Sequence, residues 1–147
     1  MKHLFMAIGL SCVLAAGTAG AGETASPPGA RVFFDGLADG DSVKSPVMVK
    51  FGIEGMKVAP AGTDMEHSGH HHLFIDRPVL GEGPDGADEL DANIISDEQH
   101  VHFGKGQTET SLELAPGEHR LQLVLGDKDH IPHNPPVVSE QITITVE

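Results

Sequence analysis

Apolar side chains in this chain recur at every second position, in short runs broken by glycine, proline and aspartate. Val47, Val49, Phe51 and Ile53 alternate with Met48, Lys50 and Gly52. Leu121, Leu123 and Leu125 share one phase, and so do Ile142, Ile144 and Val146. Period two sends successive side chains to opposite faces of an extended chain, so each run reads as a strand with one buried side. Arg31–Phe34, His71–Asp76, Gln99–Gly104 and Thr108–Leu114 extend the series, with little sign of helical period. Ala115-Pro116-Gly117, between Thr108–Leu114 and Glu118–Leu125, predicts a compact hairpin-like turn. About seven short strands with turns between them predict an all-β fold, an antiparallel Ig-like β-sandwich.

The first residues read as a targeting signal. Met1-Lys2-His3 is a short positive start, Leu4–Ala16 is an apolar run of 13 residues, and Ala19-Gly20-Ala21 offers a small-x-small cleavage site. That run is too short to span a bilayer, which takes about 20 apolar residues. Cys12 sits inside the apolar run, and Gly9-Leu10-Ser11 lacks the leucine expected three positions before a lipidated cysteine. Cleavage after Ala21 and export to the periplasm or beyond follow as expectations, with no membrane insertion afterwards. Residues 22–30 then form a flexible leader and 31–147 a single domain. The cleaved chain would have 126 residues (147 minus 21), lose Lys2 and so move from −13 to −14, and contain no cysteine. Thiolate metal sites, thiol enzymes and disulfides are thereby excluded.

The acidic balance, 22 carboxylates against 9 basic side chains, argues against nucleic acid, which needs clustered lysine and arginine. It favours cations instead. Nine of the ten histidines lie beyond Ala21, and most fall in three groups: His67, His70, His71 and His72; His100 and His102; His130 and His133. Residues two apart on a strand face the same way, so His70 pairs with His72 and His100 with His102, while His71 faces oppositely. Two same-face imidazoles can grip one ion, with a further ligand from a neighbouring strand or loop. Imidazole suits copper, zinc, nickel or iron, and the expected ion is copper or zinc.

The candidate ligands are therefore His70, His72, His100, His102, His130 and His133, with His67, His71, Asp127 and Met65 as weaker ones. Met56, like Met65, could add a thioether for Cu(I). Asp76, Asp127 and Asp129 could ligate or orient an imidazole from behind. His119, alone in a strand, reads as structural. The stretch Pro78–Glu98, with seven acidic residues, three glycines and two prolines, is a functional loop or disorder and could gate the site. Gly104-Lys105-Gly106-Gln107-Thr108 lacks the spacing of a phosphate loop, and no G-x-S-x-G elbow is present.

Gly55-Met56 through Ala61-Gly62, Gly69-His70-His71-His72-Leu73-Phe74-Ile75-Asp76, and His100-Val101-His102-Phe103-Gly104-Lys105-Gly106-Gln107-Thr108-Glu109 carry a resemblance. Pro116-Gly117-Glu118-His119, Gly126-Asp127 and His130-Ile131-Pro132-His133 extend it. Over about Arg31 to Glu147 the chain resembles bacterial secreted proteins grouped as domain-of-unknown-function family 4399. The resemblance implies a small exported β domain and no named activity. His100-Val101-His102 with Phe103-Gly104 is also similar to the copper-ligand strand of copper–zinc superoxide dismutases, though without their cysteine pair or zinc loop; it serves as an analogy for ligand geometry.

Three functions follow as expectations. The first is an exported histidine-rich protein that sequesters or hands on copper or zinc. The second is a metal-dependent enzyme with a three-histidine site and an open position, dismutase- or hydrolase-like, for which no separate general acid or base stands out. The third is an envelope interaction domain that binds no metal, its partner unspecified.

Overall fold

The computed structural model describes residues 22–147. The expected signal segment, with Lys2, His3 and Cys12, lies outside the described residues. Nine strands and one short helix follow in order among the described residues: β1 (Arg31–Asp35), β2 (Ser42–Val43), β3 (Val47–Glu54), β4 (Lys57–Val58), β5 (Ser68–Ile75), α1 (Gly86–Glu89), β6 (His100–His102), β7 (Glu109–Leu112), β8 (Gly117–Gly126) and β9 (Ile142–Val146). All seven expected strands are present, and β2 and β4 are two-residue additions.

The strands form two sheets. One is three-stranded, ordered β1-β3-β7; the other is six-stranded, ordered β2-β9-β8-β5-β4, with β6 also paired to β5. Alternation decides which side chains they share. Val32, Val47, Val49, Phe51 and Leu112 from the first sheet join Leu73, Ile75, Leu121, Leu123, Leu125, Ile142, Ile144 and Val146 from the second in one buried cluster. Each such side chain fully withdrawn from water contributes about 1.5–3 kcal/mol.

The Ala115-Pro116-Gly117 turn is not a hairpin. β7 pairs with β3 in the first sheet, whereas β8 pairs with β5 and β9 in the second, so the turn carries the chain from sheet to sheet. Both edges of β8 are already filled, leaving β7 no place beside it.

β5 is buried at all eight positions because both its faces are covered. Its second face carries Phe74, which packs with Val124, Leu80 and Ile94. Leu80 and Ile94 belong to the acidic stretch 78–98. That stretch is an ordered cover with α1 inside it, fastened by Leu80 N–H donating to Gln122 Oε1 at 2.9 Å and by the Arg77–Glu89 ion pair. Residues 22–30 run against the loop after β8: Ser26 N–H donates to the Asn134 carbonyl at 3.0 Å, and Thr24 Oγ1 to Asp127 Oδ2 at 2.6 Å.

His71 faces the shared core beside the Phe51 ring, with 5.1 Å between centroids. It is 0% exposed, and neither ring nitrogen has a partner among the described residues. Burial holds it neutral by lowering its pKa to about 4. An unpaired buried polar group costs about 1–3 kcal/mol, so His71→Leu is expected to raise the urea midpoint. A destabilisation of more than about 1 kcal/mol would show that the imidazole has an internal partner.

Candidate metal centre

Strand geometry and register bring four imidazoles together. On β5, His70 and His72 point away from the shared core, opposite in phase to Leu73 and His71. The antiparallel partner β6 sets His102 directly across from His72. The fourth, His130, comes from the loop after β8, where His70 pairs with Gly126. His130 adopts φ 67, a left-handed conformation uncommon for a residue with a side chain. Its turn is held by His130 N–H donating to the Asp127 carbonyl at 3.0 Å, and by Asp127 Oδ1 accepting from Asp129 N–H at 2.9 Å and Ile131 N–H at 3.0 Å.

Two glycines make room for the rings. A Cβ at Gly104 would lie 2.3 Å from His102 Cε1, and one at Gly126 would lie 2.7 Å from His72 Nε2. Any other residue there would push an imidazole out of place.

One potential ligand atom from each of His70, His72, His102 and His130 lies within 4.8 Å of the others. His70 Nε2 is 3.0 Å from His72 Nε2 and 3.0 Å from His130 Nδ1. The six centroid separations are 4.8 Å (His70–His72), 5.0 Å (His70–His102), 4.9 Å (His70–His130), 5.1 Å (His72–His102), 5.8 Å (His72–His130) and 4.5 Å (His102–His130). His70 and His72 are 0% exposed, while His102 and His130 are half-buried.

Three of the four rings resist protonation. Burial first, and then the neighbouring imidazoles, lower the pKa of His72 to about 2; the same causes, partly opposed by Asp127, lower that of His70 to about 4. His102 is lowered by burial and then by His130. These rings therefore stay neutral at pH 7, the form that donates a lone pair to a metal. His70 Nδ1, His72 Nδ1 and His102 Nε2 are buried with no hydrogen-bond partner among the described residues.

The other candidates lie elsewhere. His100 is on the same face as His102 but stacks edge-on against Phe74, 4.7 Å between centroids, with Nδ1 2.8 Å from Asp97 Oδ1. His133 is fully buried, its ring nitrogens each 3.2 Å from the carbonyls of Leu125 and Ser68. His67 is exposed beside Glu66, Met65 is 42% exposed, and Met56 sits in the apolar core. Asp129 pairs with Lys128. His119 faces Asp76 Oδ2 and the Ala115 carbonyl, each at 2.8 Å; burial works against protonation there, but these two acceptors raise its pKa overall. Asp127 is the carboxylate that acts on His70. Burial works to raise its own pKa, but the Thr24 hydroxyl and the Ile131 and Asp129 amides lower it overall.

Sequence reading missed the two clearing glycines and the Asp97 partner of His100. Gly104 carried a signal, since it follows His102 by two positions and so shares its face.

His102 and His130 border a cavity of about 240 Å3 with Asn93, Ile94, Ile95 and Ser96. The acidic stretch thus forms the mouth of the cluster, tied to it by Ile94 N–H donating to the His130 carbonyl at 2.8 Å and by Asn93 Nδ2 donating to the Asp129 carbonyl.

A family model described as "Domain of unknown function (DUF4399)" matches residues 49–147, a span that holds all four clustered histidines and begins within β3. No curated protein and no solved structure matches the chain.

Proposed function

We propose that this chain, which belongs to the DUF4399 family, is an exported metal-binding protein that sequesters copper or zinc or hands it on. His70, His72, His102 and His130 are the ligands in this reading. One observation carries it: four imidazoles, two of them fully buried, present donor atoms within 4.8 Å of one another. His70 Nε2 lies 3.0 Å from both His72 Nε2 and His130 Nδ1, so ring nitrogens already converge on one place where an ion could take their lone pairs. The two sheets sharing one core support a β-sandwich carrying the site on its outer face, and the signal-like start supports a periplasmic location.

Native mass spectrometry of tag-free protein tests the reading. One Zn(II) or copper ion per chain is expected, with none retained by His70→Ala/His102→Ala. An unmetallated wild type in excess ion would end it.

Asp127 positions His130 by holding its turn. Asp127→Ala is expected to weaken ion affinity by about 10- to 100-fold, the usual effect of removing a group behind a ligand. Asp127→Asn keeps one carbonyl oxygen for the Asp129 and Ile131 amides, so it should recover part of the loss in a chelator competition.

A second reading, a metal-dependent enzyme, is favoured by the solvent-facing cavity beside His102 and His130, which leaves room for a small molecule next to the ion.

A further inference from the structure

The arrangement of the four rings distinguishes between ions. An imidazole nitrogen sits about 2.0–2.1 Å from a bound ion, which places the ring centroid about 3.2 Å away. Four such rings around one ion would have all six centroid separations near 5.2 Å in a tetrahedron, but about 4.5 Å for four and 6.4 Å for two in a square plane. The six observed separations run from 4.5 to 5.8 Å, and none reaches the diagonal of a square. The ring centroids lie nearer a distorted tetrahedron than a square. Cu(II) and Ni(II) prefer tetragonal sites, whereas the filled d shells of Zn(II) and Cu(I) accept tetrahedral ones.

Charge then separates those two. The cluster contains no carboxylate and no thiolate. The nearby carboxylate, Asp127, is already occupied by the Thr24 hydroxyl and two backbone amides. Among the described residues nothing accepts a hydrogen bond from the far nitrogen of His70 or His72, so no second group there strengthens these ligands as bases. An ion entering here meets four imidazole donors, two of them on fully buried rings, and no carboxylate that would neutralise its charge. The cost of burying charge grows with its square, so a divalent ion pays about four times the monovalent penalty.

We propose that the ion this centre is built for is Cu(I). This rests on the metal-binding reading above and narrows it to one oxidation state. Methionine is not needed for it: Met56 is in the core and Met65 is an exposed residue outside the cluster.

The test is an anaerobic competition of tag-free apo protein against a chromophoric Cu(I) chelator, with parallel competitions for Cu(II) and Zn(II). One equivalent of Cu(I) should be withdrawn from the chelator, with a dissociation constant at least about 1000-fold below that for Cu(II). At 59 mV per tenfold, that ratio places the bound couple about 180 mV above aqueous copper. Cu(II) held as tightly as Cu(I), with a tetragonal paramagnetic spectrum, would overturn the proposal. Uptake of one Zn(II) without withdrawal of Cu(I) would also overturn it while leaving the metal site standing. No uptake of any ion would remove both. His130→Ala, whose ring is half-buried and on a loop, should lose Cu(I) while keeping its far-ultraviolet dichroism. Undiminished Cu(I) affinity in that variant would also count against the assignment.

Discussion

Metal loading is expected to raise the thermal midpoint of the apo protein by about 10–15 °C. A ligand that binds only the folded chain adds about 4 kcal/mol when its free concentration is a thousand times its dissociation constant. For a domain of this length, each kcal/mol moves the midpoint by about 3–4 °C. The effect should be large because the facing nitrogens of His70, His72 and His130 already stand 3.0 Å apart, so the ion meets a preformed set of donors. Calorimetry with and without a chelator measures it. His70→Ala/His102→Ala should lose the shift entirely. An absence of any shift at ion concentrations far above micromolar, with wild type and double variant alike, would contradict the account.

Acid is expected to undo the apo fold well before most carboxylates titrate. The folded pKa of His70 is lowered from 6.5 to about 4, that of His71 to about 4 and that of His72 to about 2. Below pH 6.5 the unfolded chain takes up protons that the folded chain refuses. Stability is therefore complete above pH 6.5 and is lost progressively as pH falls through the window toward 4. At pH 5, relative to pH 7.5, each ring kept neutral costs on the order of 2 kcal/mol. His119 acts in the opposite direction, since its raised pKa adds stability below pH 6.5 that is lost as pH rises. One such group offsets only part of the loss. Urea midpoints at pH 7.5 and pH 5.0 measure the balance, and equal midpoints would mean that the cluster is solvated. Bound metal should shift the acid limb downward, because protons and the ion compete for the same lone pairs.

Much of this was legible in the residues. Alternation located the seven main strands, and the same period put His70 with His72, His100 with His102, and His71 on the other face. Pairing was not legible. Nothing local says that His102 lies across from His72 while His100 lies across from Phe74, yet that register separates a ring in the cluster from one hydrogen-bonded to Asp97. The Ala115-Pro116-Gly117 turn misled for the same reason, because a short connection does not reveal whether it joins neighbours or crosses between sheets. The loop histidines required the fold: His130 is turned inward by Asp127, while His133, three residues on, is taken up by two backbone carbonyls. The acidic stretch looked unstructured by composition because the apolar residues it packs inward, Leu80, Leu90 and Ile94, are spaced irregularly. They match the outer face of β5 and β8 rather than any helical or strand period.

X-ray absorption at the metal edge of the loaded protein reads the donor set of the four-histidine centre. Four nitrogen donors are expected at about 2.0–2.1 Å, each with the outer-shell scattering of an imidazole ring. A shell with sulfur or carboxylate donors, or with fewer than three imidazoles, would contradict that expectation.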